Sequence, residues 1–229
     1  MIKVEARLGD IAINLELERY NAFAGDERKV KVARAIYIAS RSAKEPVRHA
    51  YARILGKIPV RVKIEDDEMI IEKEARYLKN SPWTGEILLQ STRVGYFLAL
   101  SKPEEDISSV SPQRLDFEIL RTKIKDLKEK SLIVIEEPEI HKRPTTIVDY
   151  IEELVELAEK KKLTVIMTTN SDIPLLSLAS LVGKKRLNSN DIAIYHFGDE
   201  ISRIKIYEDG VIDVLPEEDE VIPRLFLIE

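Results

Sequence analysis

Leu132-Ile133-Val134-Ile135 is an apolar run that stops abruptly on two carboxylates, Glu136-Glu137, and a proline. A nearly continuous apolar strand of this kind is buried on both faces, as in parallel sheets covered by helices on either side. Ligand sites of such sheets lie at the carboxyl ends of the strands. Two acids at that position suit a hydrated Mg²⁺ and a water awaiting activation. As a plainer alternative, Glu136, Glu137 and Glu139 form an acidic cluster at a helix start, where negative charge is favourable.

The patterns on either side of this strand differ. Before it, residues 2–7 and 11–19 alternate apolar and polar, which predicts two strands around a Gly9-Asp10 turn. Val32, Ala35, Ile36 and Ala39 fall at helical spacing within 28–42, and Pro46 opens a second helix that stops at Gly56. A hairpin follows over 59–65 and 68–77 with its turn at Asp66-Asp67, then a loop over 80–85 and a strand at 86–90. From Ser111-Pro112 the chain alternates helices and strands: a helix to about Lys130, the acid-tipped strand, a helix from Pro144 to Lys161, and a strand from Leu163 to Met167. A helix at 172–182 and a strand at 192–197 complete the series. Such alternation implies parallel pairing. A hairpin turning at Asp209-Gly210 and a short acidic helix end the sequence. The reading is one domain over 1–229, with an antiparallel β-rich part at 1–90 and an α/β part at 91–229.

Composition narrows the chemistry. There is no cysteine, so disulfides and thiolate metal sites are excluded, and the three histidines lie far apart, so neither zinc nor haem is expected. No run approaches the roughly 18 apolar residues of a membrane helix, and the alternating N-terminus does not read as a signal peptide; a cytoplasmic protein without a membrane partner is expected. Charged residues make up 34%, a share typical of thermophile proteins. The net charge of −5 argues against a duplex-coating role, although a local basic patch such as Lys184-Lys185-Arg186 stays compatible with nucleic acid.

The acid-tipped strand resembles the Walker B segment of the ABC/OLD-like, archaeal-type AAA ATPases. Thr168-Thr169-Asn170-Ser171-Asp172 resembles the same family's Thr-Thr-His-Ser-Asp switch, with Asn170 in the histidine's place. Ser108-Ser109 with Gln113-Arg114-Leu115 is similar to its signature region, and Ser91-Thr92-Arg93-Val94-Gly95 to a segment ending in Ser-Arg-x-Gly. Together these pieces span roughly 86–200. The resemblance implies an α/β fold of P-loop NTPase type: a mixed sheet flanked by helices, with an antiparallel N-terminal portion, as in the head of an ABC ATPase. It also implies ATP and Mg²⁺ as ligands. Glu136 would hold the metal, Glu137 would polarise the attacking water, Asn170 would sit at the γ-phosphate, and Arg93 could reach a phosphate or equally form a structural salt bridge.

The phosphate loop departs from that pattern. Gly-x-x-x-x-Gly-Lys-Ser/Thr is required, because glycines let the backbone wrap the phosphates, the lysine neutralises them and the hydroxyl meets the metal. The stretch in its place is Phe23-Ala24-Gly25-Asp26-Glu27-Arg28-Lys29-Val30-Lys31-Val32. Gly25 would be the first glycine. Spacing from Gly25 selects Lys31 as the lysine, whereas alignment of the following helix selects Lys29. Either choice loses the second glycine and the hydroxyl, and Asp26 and Glu27 add negative charge. Both lysines read more readily as solvated helix-face residues. Asn170 is also a candidate cap for the helix after it. Asparagine donates a hydrogen bond but carries no titrating proton, unlike histidine. The expectation is a pseudo-ATPase or regulatory subunit with a protein partner, either a second copy or an active ATPase or effector. The alternative is a working ATPase with an atypical loop, linked by family analogy to DNA repair or defence.

Overall fold

The structure, a computed structural model, describes residues 1–8, 11–42, 60–64, 67–71, 81–90 and 112–213. Two sheets organise it. Strands β1 (Ile2–Leu8), β2 (Ile11–Leu17), β4 (Val60–Ile64) and β5 (Asp67–Ile71) form an antiparallel sheet in the order β2-β1-β4-β5. Strands β3 (Tyr20–Gly25), β6 (Glu86–Gln90), β7 (Leu132–Glu136), β8 (Thr164–Thr168), β9 (Ile192–Phe197) and β10 (Ile201–Ile204) form the second, in the order β10-β9-β3-β8-β7-β6. All neighbours in the second sheet run parallel except β9 and β10.

Alternation along the central strands sends side chains to two cores. Phe23, Leu132, Val134, Ile166, Ala193, Tyr195 and Phe197 face one, and Tyr20, Ala22, Ile133, Ile135, Val165, Met167 and Ile194 face the other. The first core is closed by helix α1 (Arg28–Ser42) and by the apolar face of the antiparallel sheet, where Val4, Ala6, Ile13, Leu15 and Leu17 point inward. The second is closed by α2 (Pro112–Asp126), α3 (Pro144–Lys161) and α4 (Asp172–Gly183). In α3, Ile147, Tyr150, Ile151, Leu154, Val155 and Ala158 form the buried stripe. Each large aliphatic side chain buried this way stabilises the fold by about 1.5–3 kcal/mol.

Four boundaries differ from the sequence reading. The strand expected over 11–19 stops at Leu17, and a separate strand, β3, begins at Tyr20. The buried Asn21 side chain makes the break: its Oδ1 accepts from Glu18 N at 2.9 Å, while its Nδ2 donates to Glu18 O at 2.8 Å and to Val165 O at 2.9 Å. The chain thereby leaves one sheet for the middle of the other. Helix α2 ends at Asp126, not near Lys130, because Lys161 Nζ donates to the carbonyls of Lys125 and Leu127 at 2.5 Å and caps it. Asp67 is a strand residue paired with Ile64, not a turn residue. No helix starts at Glu136–Glu139; Glu136 ends β7, a turn follows over 138–141, and α3 begins at Pro144. The Gly9-Asp10 turn, the helix from Pro46 to Gly56, the cap at Ser111 and the C-terminal acidic helix fall outside the described residues.

Candidate functional site

The carboxyl ends of β3, β7, β8 and β9 converge on one edge of the mixed sheet. Hydrogen bonding continues past each strand end: Glu137 N donates to Thr168 O at 2.9 Å, Thr169 N to Phe23 O at 2.9 Å, and Asp26 N to Phe197 O at 2.8 Å. Gly25, Glu136, Glu137 and Asn170 therefore come together. Lys29 joins them from α1. Arg93, with its neighbours 91–111, lies outside the described residues.

The connection from β3 to α1 is only Asp26-Glu27, since the strand ends at Gly25 and the helix begins at Arg28. Both candidate lysines are thus helical, and no loop of phosphate-wrapping length separates strand from helix. Gly25 has φ +92°, and a Cβ there would stand 2.2 Å from Phe197 O, so the position requires glycine. Asp26 turns its carboxylate onto the helix: Oδ1 accepts from Arg28 N at 2.8 Å and Oδ2 from Arg28 Nε at 2.7 Å. Burial acts to raise the Asp26 pKa, but hydrogen bonds from the Arg28 side chain and backbone, with the charges of Arg28 and Lys29, bring it below the ordinary carboxylate value. A helix N-terminus attracts anions, and here the protein's own carboxylate is bound to it.

Lys29 is not a solvated helix-face residue. It is 2% exposed, and its Nζ donates to Gly25 O and, at 2.5 Å, to Asn170 Oδ1. Lys31 lies two residues on and is half-buried. Asn170 completes a bridge: Nδ2 donates to Glu137 Oε1 at 2.7 Å, and its backbone N donates to Glu139 Oε1 at 2.7 Å. The cap of α4 is Ser171, whose hydroxyl accepts from Ile173 N, and not Asn170. Glu137 adopts φ +48°, a left-handed conformation uncommon outside glycine.

Sequence reasoning gave Arg34 no role. It reaches from α1 to the end of β7, donating Nε to Glu136 Oε1 at 2.5 Å and Nη2 to Glu136 Oε2 at 2.7 Å. Hydrogen bonding to Glu136 outweighs burial and holds the guanidinium pKa above its ordinary value. Nothing in the primary structure signalled this pair, whose members stand 102 positions apart. A signal for Lys29 was present: Lys29, Val32, Ala33 and Ile36 share one helical face, and the last three are buried. A cleft of about 110 Å³ beside the cluster is lined by Ala24, Gly25, Thr169, Asn170, Ser171, Asp172 and His196. Among the described residues no group of three or more metal-ligating side chains is assembled.

The basic cluster Lys184-Lys185-Arg186 lies elsewhere, just after α4. It faces the acidic side of α3, with Lys184 3.1 Å from Glu152 and Arg186 3.1 Å from Glu152 and 2.8 Å from Glu156.

No family model matches the chain, and no curated sequence matches it. Solved structures do. MJ1267, an ATP-binding cassette of an ABC transporter, matches with a TM-score of 0.50 at 14% identity, over 98% of this chain and 97% of that one. The ADP conformation of the same cassette gives 0.45 at 13% identity, covering 93% and 89%. A crystal structure of a Streptococcus thermophilus protein gives 0.49 at 9%, covering 99% and 81%. At such identities the likeness shows the fold. The chain has the architecture of an ABC ATPase head: a mixed sheet flanked by helices, with an antiparallel sheet beside it.

Proposed function

We propose that this chain is an ATPase-fold protein that does not hydrolyse ATP and acts as a regulatory or partner subunit for another protein. The observation that carries the reading is the two-residue connection between β3 and α1. A phosphate-binding loop works by turning several consecutive backbone N–H groups toward the ligand. Asp26-Glu27 is too short for that, and Asp26 places its own anion on the helix end. Glu136, the residue that resemblance assigns to Mg²⁺, directs both oxygens to Arg34. A Mg²⁺-nucleotide does not fit these residues as they stand. The cassette fold makes nucleotide and Mg²⁺ the natural ligands to test, and no helix of the described residues is long and apolar enough to cross a membrane.

One feature favours the second reading, an ATPase with an atypical loop. Lys29 lies at the cleft and contacts Asn170, which contacts Glu137. Were Lys29 to swing off Gly25 O, its amine would meet a phosphate entering beside Asn170. Phosphate release separates the two readings. The non-hydrolysing protein gives the same background rate with Mg²⁺-ATP for wild type and Glu137→Gln. A rate above background that Glu137→Gln abolishes supports the ATPase. The partner role is tested by light scattering of the purified protein alone and with a candidate ATPase; a strictly monomeric chain that binds no protein would contradict it.

A further inference from the structure

We propose that Arg34 and Lys29 are resident cations of the sheet edge: Arg34 fills from within the protein the place that the resemblance to ATPases gives to a divalent cation, and Lys29 spends on the protein's own acceptors the charge that would meet a nucleotide's phosphates. The inference deepens the non-hydrolysing reading above and rests on it. Glu136 has a side chain only 8% exposed. A carboxylate buried to that degree needs a counter-charge, because removing one partner of a buried pair leaves an uncompensated charge. In a metal-dependent site the counter-charge arrives with the ligand. Here it is tethered: the planar guanidinium of Arg34 matches both carboxylate oxygens in one fork.

Lys29 repeats the arrangement one strand over. Its buried ammonium bridges the last carbonyl of β3 and the Asn170 side chain beyond β8. Asn170 suits that bridge, since one amide offers an acceptor to the cation and a donor to the Glu137 carboxylate. A carboxylate in its place would lack the donor. Two cations from one helix thereby hold the ends of β3, β8 and β7 together. The consequence is an edge whose conformation does not wait for a ligand: α1 is joined to the sheet whether or not metal or nucleotide is present.

The test is a set of thermal midpoints, with Mn²⁺ alone as the divalent probe. Wild type should be unmoved by millimolar Mn²⁺. Arg34→Gln should lower the midpoint by roughly 5–15 °C, because Glu136 loses its buried partner. Mn²⁺ should recover part of that loss. Arg34→Gln/Glu136→Gln should recover at least half of it without metal and then ignore Mn²⁺. Should Arg34→Gln fail to fold, the double variant still decides: its folding supports the proposal and its failure overturns it. An Arg34→Gln midpoint equal to wild type, an absence of Mn²⁺ recovery, or losses in the double variant that simply add would each overturn it. Mg²⁺-ATP added to wild type separates the two claims. A rise in midpoint there overturns the closed edge, and phosphate release above background that Glu137→Gln abolishes defeats the non-hydrolysing reading, whereas a silent wild type with additive variants defeats only the resident cations.

Discussion

Asp26 sits in the two-residue link between β3 and α1 and does a cap's work. Its folded-state pKa lies below its ordinary value of 3.8. A depressed carboxylate pKa contributes stability that is present above the unfolded value and is lost as pH falls through the folded one. Asp26→Asn should therefore lower the unfolding free energy from urea titration at neutral pH by no more than about 1 kcal/mol, given the exposure of the group. The variant should also show a shallower loss of stability as the pH falls below about 4. Parallel acid slopes for wild type and variant would contradict this. Gly25, next to it, has no alternative side chain. With φ +92° and only 2.2 Å between an added methyl carbon and Phe197 O, Gly25→Ala must break the β3–β9 pairing or the turn. A destabilisation of more than about 3 kcal/mol is expected in denaturant titration.

Between elements, the buried pair of Lys142 and Asp116 ties the turn after β7 to α2. The Lys142 side chain is 2% exposed and Asp116 13%. Burial raises the Asp116 pKa more than Lys142 lowers it, so desolvation is the larger influence on that carboxyl. Lys142→Met alone should cost about 3–5 kcal/mol, and Asp116→Leu added to it should return most of that loss, because an unpaired buried charge is worse than none. Additive losses in the double variant would show that packing, not charge, dominates. Elements with strong periodicity were legible from sequence. The apolar stripe of α3 and the run of β7 left little choice, since each pattern buries in only one way. Strand β3 was not, because Tyr20-Asn21-Ala22-Phe23-Ala24 carries small and polar residues on a strand buried at the sheet's centre. Only the Asn21 side chain, folding back on Glu18, marks where it begins.

Taken together, the antiparallel sheet with α1, the mixed sheet, and α2, α3 and α4 make the three layers of an ABC ATPase head. Its class was legible because alternation of strands and helices dictates parallel pairing, and the acids at a strand's end pointed to the candidate edge. The state of that edge was not legible. It depends on Arg34 meeting Glu136 and on Lys29 meeting Asn170, pairings made only when α1 packs on the sheet. The most direct measurement is the thermal midpoint of the wild-type protein against Mg²⁺-ATP up to millimolar concentration. A ligand at 100 times its Kd stabilises by about 2.7 kcal/mol, which for a chain of this length corresponds to a rise of roughly 5–10 °C. An edge filled by its own cations and carboxylates predicts no rise. A saturable, Mg²⁺-dependent rise would mean that the two-residue link and the Arg34–Glu136 pair open to admit nucleotide, and would contradict the filled edge on which the non-hydrolysing reading rests.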